Sequence, residues 1–171
     1  MSGVKTLVEF LNKVNGRMYG KRESVDSEIE VSFSMNPPAT FEQISAIENK
    51  LGKKLPHSFK DFLVEFNGGR IYDFNGLDGL EILRVQDIPE VTDNVKRNYD
   101  EDWRSELIVF ARYIGEGNYL AFDSADLDDA EYSVVDCFTQ ESPSDWETIS
   151  ANFDVFVDSL LKTDGNKFWL A

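Results

Sequence analysis

The stretch TFEQISAIENKLGKKLPHSFKDFLVEFNGG, residues 40–69, decides how the chain folds. Thr40 followed three residues later by Gln43 has the form of a capping box, in which each side chain bonds the other's backbone and starts a helix. Phe41, Ile44, Ile47 and Leu51 then recur at helical spacing as one apolar stripe, and Gly52 supplies a stop. Pro56 suits the first position of a second helix, where its missing N–H would have had no partner. Phe59, Phe62, Leu63 and Phe66 give that helix its buried stripe, and Asn67-Gly68-Gly69 ends it. The spacing predicts a tight helical hairpin with Leu55 plugging the corner.

Upstream, Val4, Leu7, Phe10, Leu11 and Val14 predict a first amphipathic helix closed by a left-handed cap at Asn15-Gly16. Ile29, Val31 and Phe33 alternate with polar neighbours as a candidate edge strand, and Met35-Asn36-Pro37-Pro38 must be extended or turning. Beyond Arg70 the pattern changes to short apolar runs bounded by Gly, Asp and Asn. Ile71 to Phe74, Leu80 to Val85, Leu107 to Ile114, Asn118 to Phe122 and Tyr132 to Phe138 are the strand candidates, with a hairpin at Gly115-Glu116-Gly117. Between them, Ile88, Val91 and Val95 are spaced for a short helix or ordered loop. Ile149, Phe153, Phe156, Val157, Leu160 and Leu161 predict a closing helix on one sheet face. The expected class is α+β, with N-terminal helices, a mainly antiparallel sheet of about five to six strands and a C-terminal helix. Residues 1–171 are expected to form a single domain, because 171 residues lie just above the usual domain size of roughly 100–150.

Composition narrows the function. With 13 Phe and 42% hydrophobic residues the chain carries enough apolar surface for a packed core. The N-terminus lacks the apolar core of a secretory signal, since Lys5, Glu9 and Lys13 interrupt it, and no run is apolar enough to cross a membrane. One cysteine, Cys137, excludes an internal disulfide and suits a reducing cytoplasm. The net charge of −15 is uneven, for residues 101–171 hold 16 acids and 4 bases. Such a field disfavours direct contact with nucleic acid or an anionic membrane and speeds encounter with basic partners, although solubility alone also explains it.

No catalytic constellation emerges, and no cofactor is implied. His57 is a lone imidazole in the first turn of a helix, and Cys137 lies in a strand where burial as a small apolar residue is the common role. Asp123, Asp126, Asp128, Asp129 and Glu131 crowd one loop. In order of preference they form a solvated acidic loop, a partner-docking surface or a hard-cation site; the alternate acids and turn glycine of a calcium loop are missing. Trp146, just before the last helix, reads as a core or staple residue, and Trp103 as an exposed apolar anchor.

The hairpin motif resembles the SUKH superfamily, which includes the Smi/Knr-type yeast cell-wall regulators. Leu55-Pro56, Phe59, Phe62-Leu63 and Asn67-Gly68 match its pattern, Ile114-Gly115 through Leu120-Ala121-Phe122-Asp123 is similar to its hairpin, and Asn152 to Val157 resembles its final helix. The resemblance covers roughly residues 40 to 162, leaving the helix and edge strand of residues 1–39 outside it; Asp87 to Glu106 is longer than the family core needs. It implies a non-enzymatic binding fold, used in bacteria mainly as immunity proteins that neutralise polymorphic secreted toxins, many of them nucleases. The expected partner is then a cognate basic toxin domain, bound by a monomer or weak homodimer. The expected docking residues are Asp123, Asp126, Asp128, Asp129 and Glu131 with Trp103 as anchor. The alternative it leaves open is a regulatory scaffold module like the fungal relatives.

Overall fold

The computed structural model describes residues 2–14, 20–23, 27–128 and 130–170. Its frame is a sheet in which every strand pairs antiparallel with the next in sequence. The order runs β1 (Gly20–Glu23), β2 (Glu28–Met35), β3 (Gly69–Phe74), β4 (Asp78–Ile82), β5 (Leu107–Tyr113), β6 (Tyr119–Asp128), β7 (Glu131–Cys137) and β8 (Thr148–Ser150). The helices are α1 (Gly3–Val14), α2 (Phe41–Leu51), α3 (His57–Leu63), α4 (Ile88–Lys96) and α5 (Phe153–Lys162). The α+β class is as expected, but the described residues hold eight strands rather than five or six. Both unforeseen strands are outermost. β1 reads Gly-Lys-Arg-Glu and β8 has three residues, so neither carries an alternating apolar signal, and each exists by pairing with its neighbour. With β1 alongside, β2 is flanked on both sides instead of forming the expected edge. Ile149 likewise leaves the expected helical stripe for β8. The expected cap at Asn15-Gly16 lies outside the described residues.

The helical hairpin forms as its sequence dictates. Gln43 N–H donates to Thr40 Oγ1 at 3.1 Å while Thr40 N–H donates to Gln43 Oε1 at 2.9 Å, closing the capping box, and Gly52 ends α2 at φ 67°. Pro56 stands one residue ahead of its expected place, as the cap before α3. Leu55 is buried at the corner, and its N–H donates to Glu48 Oε2 at 2.7 Å. Glu48 itself is buried, with Lys60 Nζ 3.3 Å away. It occupies the core-facing position one turn beyond Ile44. Phe41, expected in the stripe, is 75% exposed instead, because its Cβ in the first helical position tilts back toward the helix N-terminus and away from the core.

Asn67 explains why the hairpin must end on Asn-Gly. Buried behind α3, it accepts from Val85 N–H at 2.8 Å, donates through Nδ2 to Gln86 at 2.8 Å, and its own N–H reaches Pro37 O at 3.1 Å. Gly68 follows at φ 73°, where a Cβ would strike the carbonyl oxygens of Ile82 and Leu83. One polar side chain thus ties the hairpin to the 3-10 turn Val85–Asp87 that leads into α4.

The two sheet faces are covered differently. On the inner face Phe110 and Phe122 stack at 4.0 Å between centroids, and Phe59 of α3 and Phe153 of α5 meet them edge-on. α1 crosses α5 so closely that a Cβ on Gly3 would collide with the Asp154 carbonyl oxygen. There the Asp154 side chain accepts from Ser2 Oγ at 2.7 Å, Gly3 N–H at 3.0 Å and Val4 N–H at 2.9 Å, capping α1 from the first turn of α5. On the outer face α4 packs on β5, and Val109 N–H at the β5 irregularity donates to Thr92 Oγ1 at 3.0 Å.

Two substitutions test these ties. Asn67→Ala leaves the buried Val85 N–H without its acceptor and should lower unfolding stability by about 1–3 kcal/mol with an unchanged denaturant slope, read from the denaturation midpoint. Desolvation raises the Asp154 carboxyl, but the bonds from Val4, Ser2 and Gly3 together outweigh it and hold the group below its ordinary value. Its stabilisation is therefore complete above the unfolded pKa and lost as pH falls through the folded one. Asp154→Asn should cost about 1 kcal/mol at neutral pH, and the gap to the unmodified chain should close below about pH 4 in thermal melts.

Candidate protein-docking surface

Two of the five acids that the sequence singles out, Asp123 and Glu131, are engaged within the fold. Asp123 in β6 is buried; its Oδ2 pairs with Arg104 Nη2, and its Oδ1 accepts from Ala125 N–H at 3.0 Å. Glu131, opening β7, accepts from both Ser58 N–H and Ser58 Oγ at 2.7 Å, so it caps α3. Both are bound within the fold. The side chains of Asp126 and Asp128 and the whole of Asp129 lie outside the described residues.

A different set of acids is brought together around Trp103. The indole is half-buried rather than fully exposed, with Tyr99 stacked at 6.4 Å and Trp146 edge-on at 6.0 Å; Tyr99 and Trp146 meet at 5.0 Å. Trp146 is buried, as expected, and its Nε1–H donates to Phe138 O at 2.8 Å. These three rings join two segments far apart in the chain: the turn Asp100–Asp102 and the turn Pro143–Asp145. Asp100, Glu101 and Asp102 run directly into Trp103, and Asp145 precedes Trp146; all four are exposed, and among the described residues none of the four forms an ion pair, whereas Glu141 and Glu147 line a separate cleft with Asp136, Lys167 and Trp169. The arrangement is an aromatic floor with an acidic rim. Such a surface can desolvate an apolar anchor while its carboxylates accept charged hydrogen bonds from cationic groups.

Half of this shelf is readable in the chain. The Asp-Glu-Asp run two residues before Arg104 is a usable signal, outweighed by the longer run after Asp123. Nothing in the sequence places Trp146 and its neighbour Asp145 beside it, because ring contacts over such separations come only from the tertiary fold.

The other candidate groups have structural surroundings. His57 is exposed at the start of α3, with its Nε2 3.6 Å from Asp61. Cys137 is buried in β7; burial first, then the Asp136 charge, pushes its thiol well above the ordinary value, the reverse of what a nucleophile needs. Among the described residues no group of three or more His, Cys, Asp or Glu is placed to hold a metal ion, and no helix is long and apolar enough to cross a membrane.

Comparison with known proteins agrees with the motif. The uncharacterized protein YnaB of Bacillus subtilis (strain 168) is 31% identical over 144 residues, covering 82% of this chain and 88% of its own length. The uncharacterized protein YobM of the same strain is 25% identical over 147 residues, covering 83% of this chain and 75% of its own. The model of the SMI1 / KNR4 family (SUKH-1) matches residues 38–159, a span that holds the helical hairpin, β3 to β8 and most of α5. With that match running through most of its length, the chain belongs to the SMI1/KNR4 (SUKH-1) family.

Proposed function

We propose that this chain is a protein-binding immunity protein, not an enzyme, which neutralises a cognate basic toxin domain, of nuclease type, in the cytoplasm. The observation that carries the reading is the shelf of four exposed carboxylates, Asp100, Glu101, Asp102 and Asp145, without cationic partners among the described residues, beside Tyr99, Trp103 and Trp146. A nuclease presents a basic cleft to phosphate, and a negatively charged shelf is complementary to it, giving fast, steered association that weakens with salt. The net charge of −15 works in the same direction and against direct binding of nucleic acid. Family membership, a Cys137 thiol kept protonated by burial, and a His57 set beside Asp61 on the surface support binding over catalysis.

Co-expression with the toxin domain encoded beside the gene tests this. A one-to-one complex should form, and the triple variant Asp100→Lys, Glu101→Lys, Asp102→Lys should slow association by about tenfold to a hundredfold at low salt while keeping the unmodified melting temperature. Unchanged association would overturn the acidic shelf as the docking surface. Weak capture of several cellular proteins with no toxin complex would instead favour the scaffold role of the fungal regulators. A second expectation concerns the groups bound within the fold: Asp123→Ala should lower stability by about 1–3 kcal/mol, by leaving the Ala125 N–H without its acceptor and Arg104 with Glu106 alone, and should alter affinity only as far as it unfolds the chain.

A further inference from the structure

The outer sheet face also carries a cluster of arginines paired with carboxylates. Register aligns Ser34, Arg70, Glu81 and Arg112 as direct cross-strand partners in one row over β2, β3, β4 and β5. Together with Arg84 and Asp87 of the turn before α4, this row lines a cleft of about 320 Å³. The chain is strongly acidic, yet three of its arginines converge here.

Their side chains are held in place. Glu81, largely shielded, accepts from Arg70 Nε at 3.0 Å with one oxygen and from Arg112 Nε and Nη2 at 3.1 and 2.7 Å with the other. Arg84 is fixed by Asp87, whose oxygens accept from Nε at 2.9 Å and Nη2 at 3.5 Å. Arg70 Nη1 also lies 3.8 Å from Asp73. These carboxylates occupy mainly the Nε edges, and each arginine side chain remains about half exposed, so N–H donors beyond those bound persist on a pre-oriented fork. Bridged carboxylates offset the charge of the arginines; what the cleft offers is an excess of oriented donors, which suits a planar carboxylate.

We infer that this cleft receives the carboxylate of an acidic side chain of a protein partner, beside the acidic shelf. The inference rests on reading the chain as a protein-binding module. Arg112 pairs across the sheet with Tyr119 and Tyr119 with Cys137, next to the Phe138 carbonyl that accepts from Trp146, so the row of the cleft leads across the sheet to the shelf. A face with both signs fixes the orientation of its partner, where one sign alone only attracts it.

The test needs no toxin. The full chain is titrated at physiological salt, where long-range repulsion is screened, with a pentaglutamate peptide and separately with inorganic phosphate, while the arginine Nε–H resonances are followed by NMR. The expected result is saturable movement of the Arg70, Arg84 and Arg112 signals with the peptide and weaker response to phosphate. The double variant Arg84→Lys, Arg112→Lys, which keeps charge but loses the fork, should bind the peptide about tenfold more weakly at an unchanged melting temperature. Unmoved arginine signals, an equal phosphate response, or full binding by the lysine variant would each overturn the inference. Failure of toxin capture alone would leave the cleft result standing, so the two readings fail separately.

Discussion

Everything in the fold depends on the packing of Phe59, Phe110, Phe122 and Phe153. The stacked pair at 4.0 Å joins β5 to β6 in the middle of the sheet, and the edge-on rings bring α3 and α5 down onto it. Large aromatic rings bury the most apolar area per residue and hold preferred geometries, so this cluster fixes helix position as well as stability. Once the inner face is taken by helices, the proposed partner recognition falls to the outer face. There α4, the ring cluster and the arginine row stand side by side.

Charge in this chain sorts into two populations. Glu48, Asp123, Glu131 and Asp154 each accept bonds from a helix end, a neighbouring N–H or a cation, and they hold the hairpin, β6, α3 and α1 in place. Asp100 to Asp102 and Asp145 take no such part, and they face water beside aromatic rings. Carboxylates of the first kind are needed to fold the molecule. The second kind carry its field outward, and a net charge alone does not tell the two apart.

The hairpin is legible in the sequence because every signal there is local: a capping box, a left-handed glycine, a proline and a helical period all fall within residues 40–69. β3 to β7 are legible from alternation and the Gly115-Glu116-Gly117 turn. The edge strands are not, since Gly-Lys-Arg-Glu and a three-residue β8 have no pattern of their own. By density, the acids from Asp123 to Glu131 read as one group. The structure gives two of them partners within the fold, Arg104 for Asp123 and the α3 N-terminus for Glu131, both reached through contacts distant in sequence.

Hydrogen exchange on the chain with and without a candidate cognate toxin domain addresses the proposed docking surface most directly. Binding should slow exchange in residues 98–103 and 141–147 and leave α1 and α5 as in the free chain. Protection confined to the α1–α5 side, with the ring cluster still exchanging freely, would contradict it.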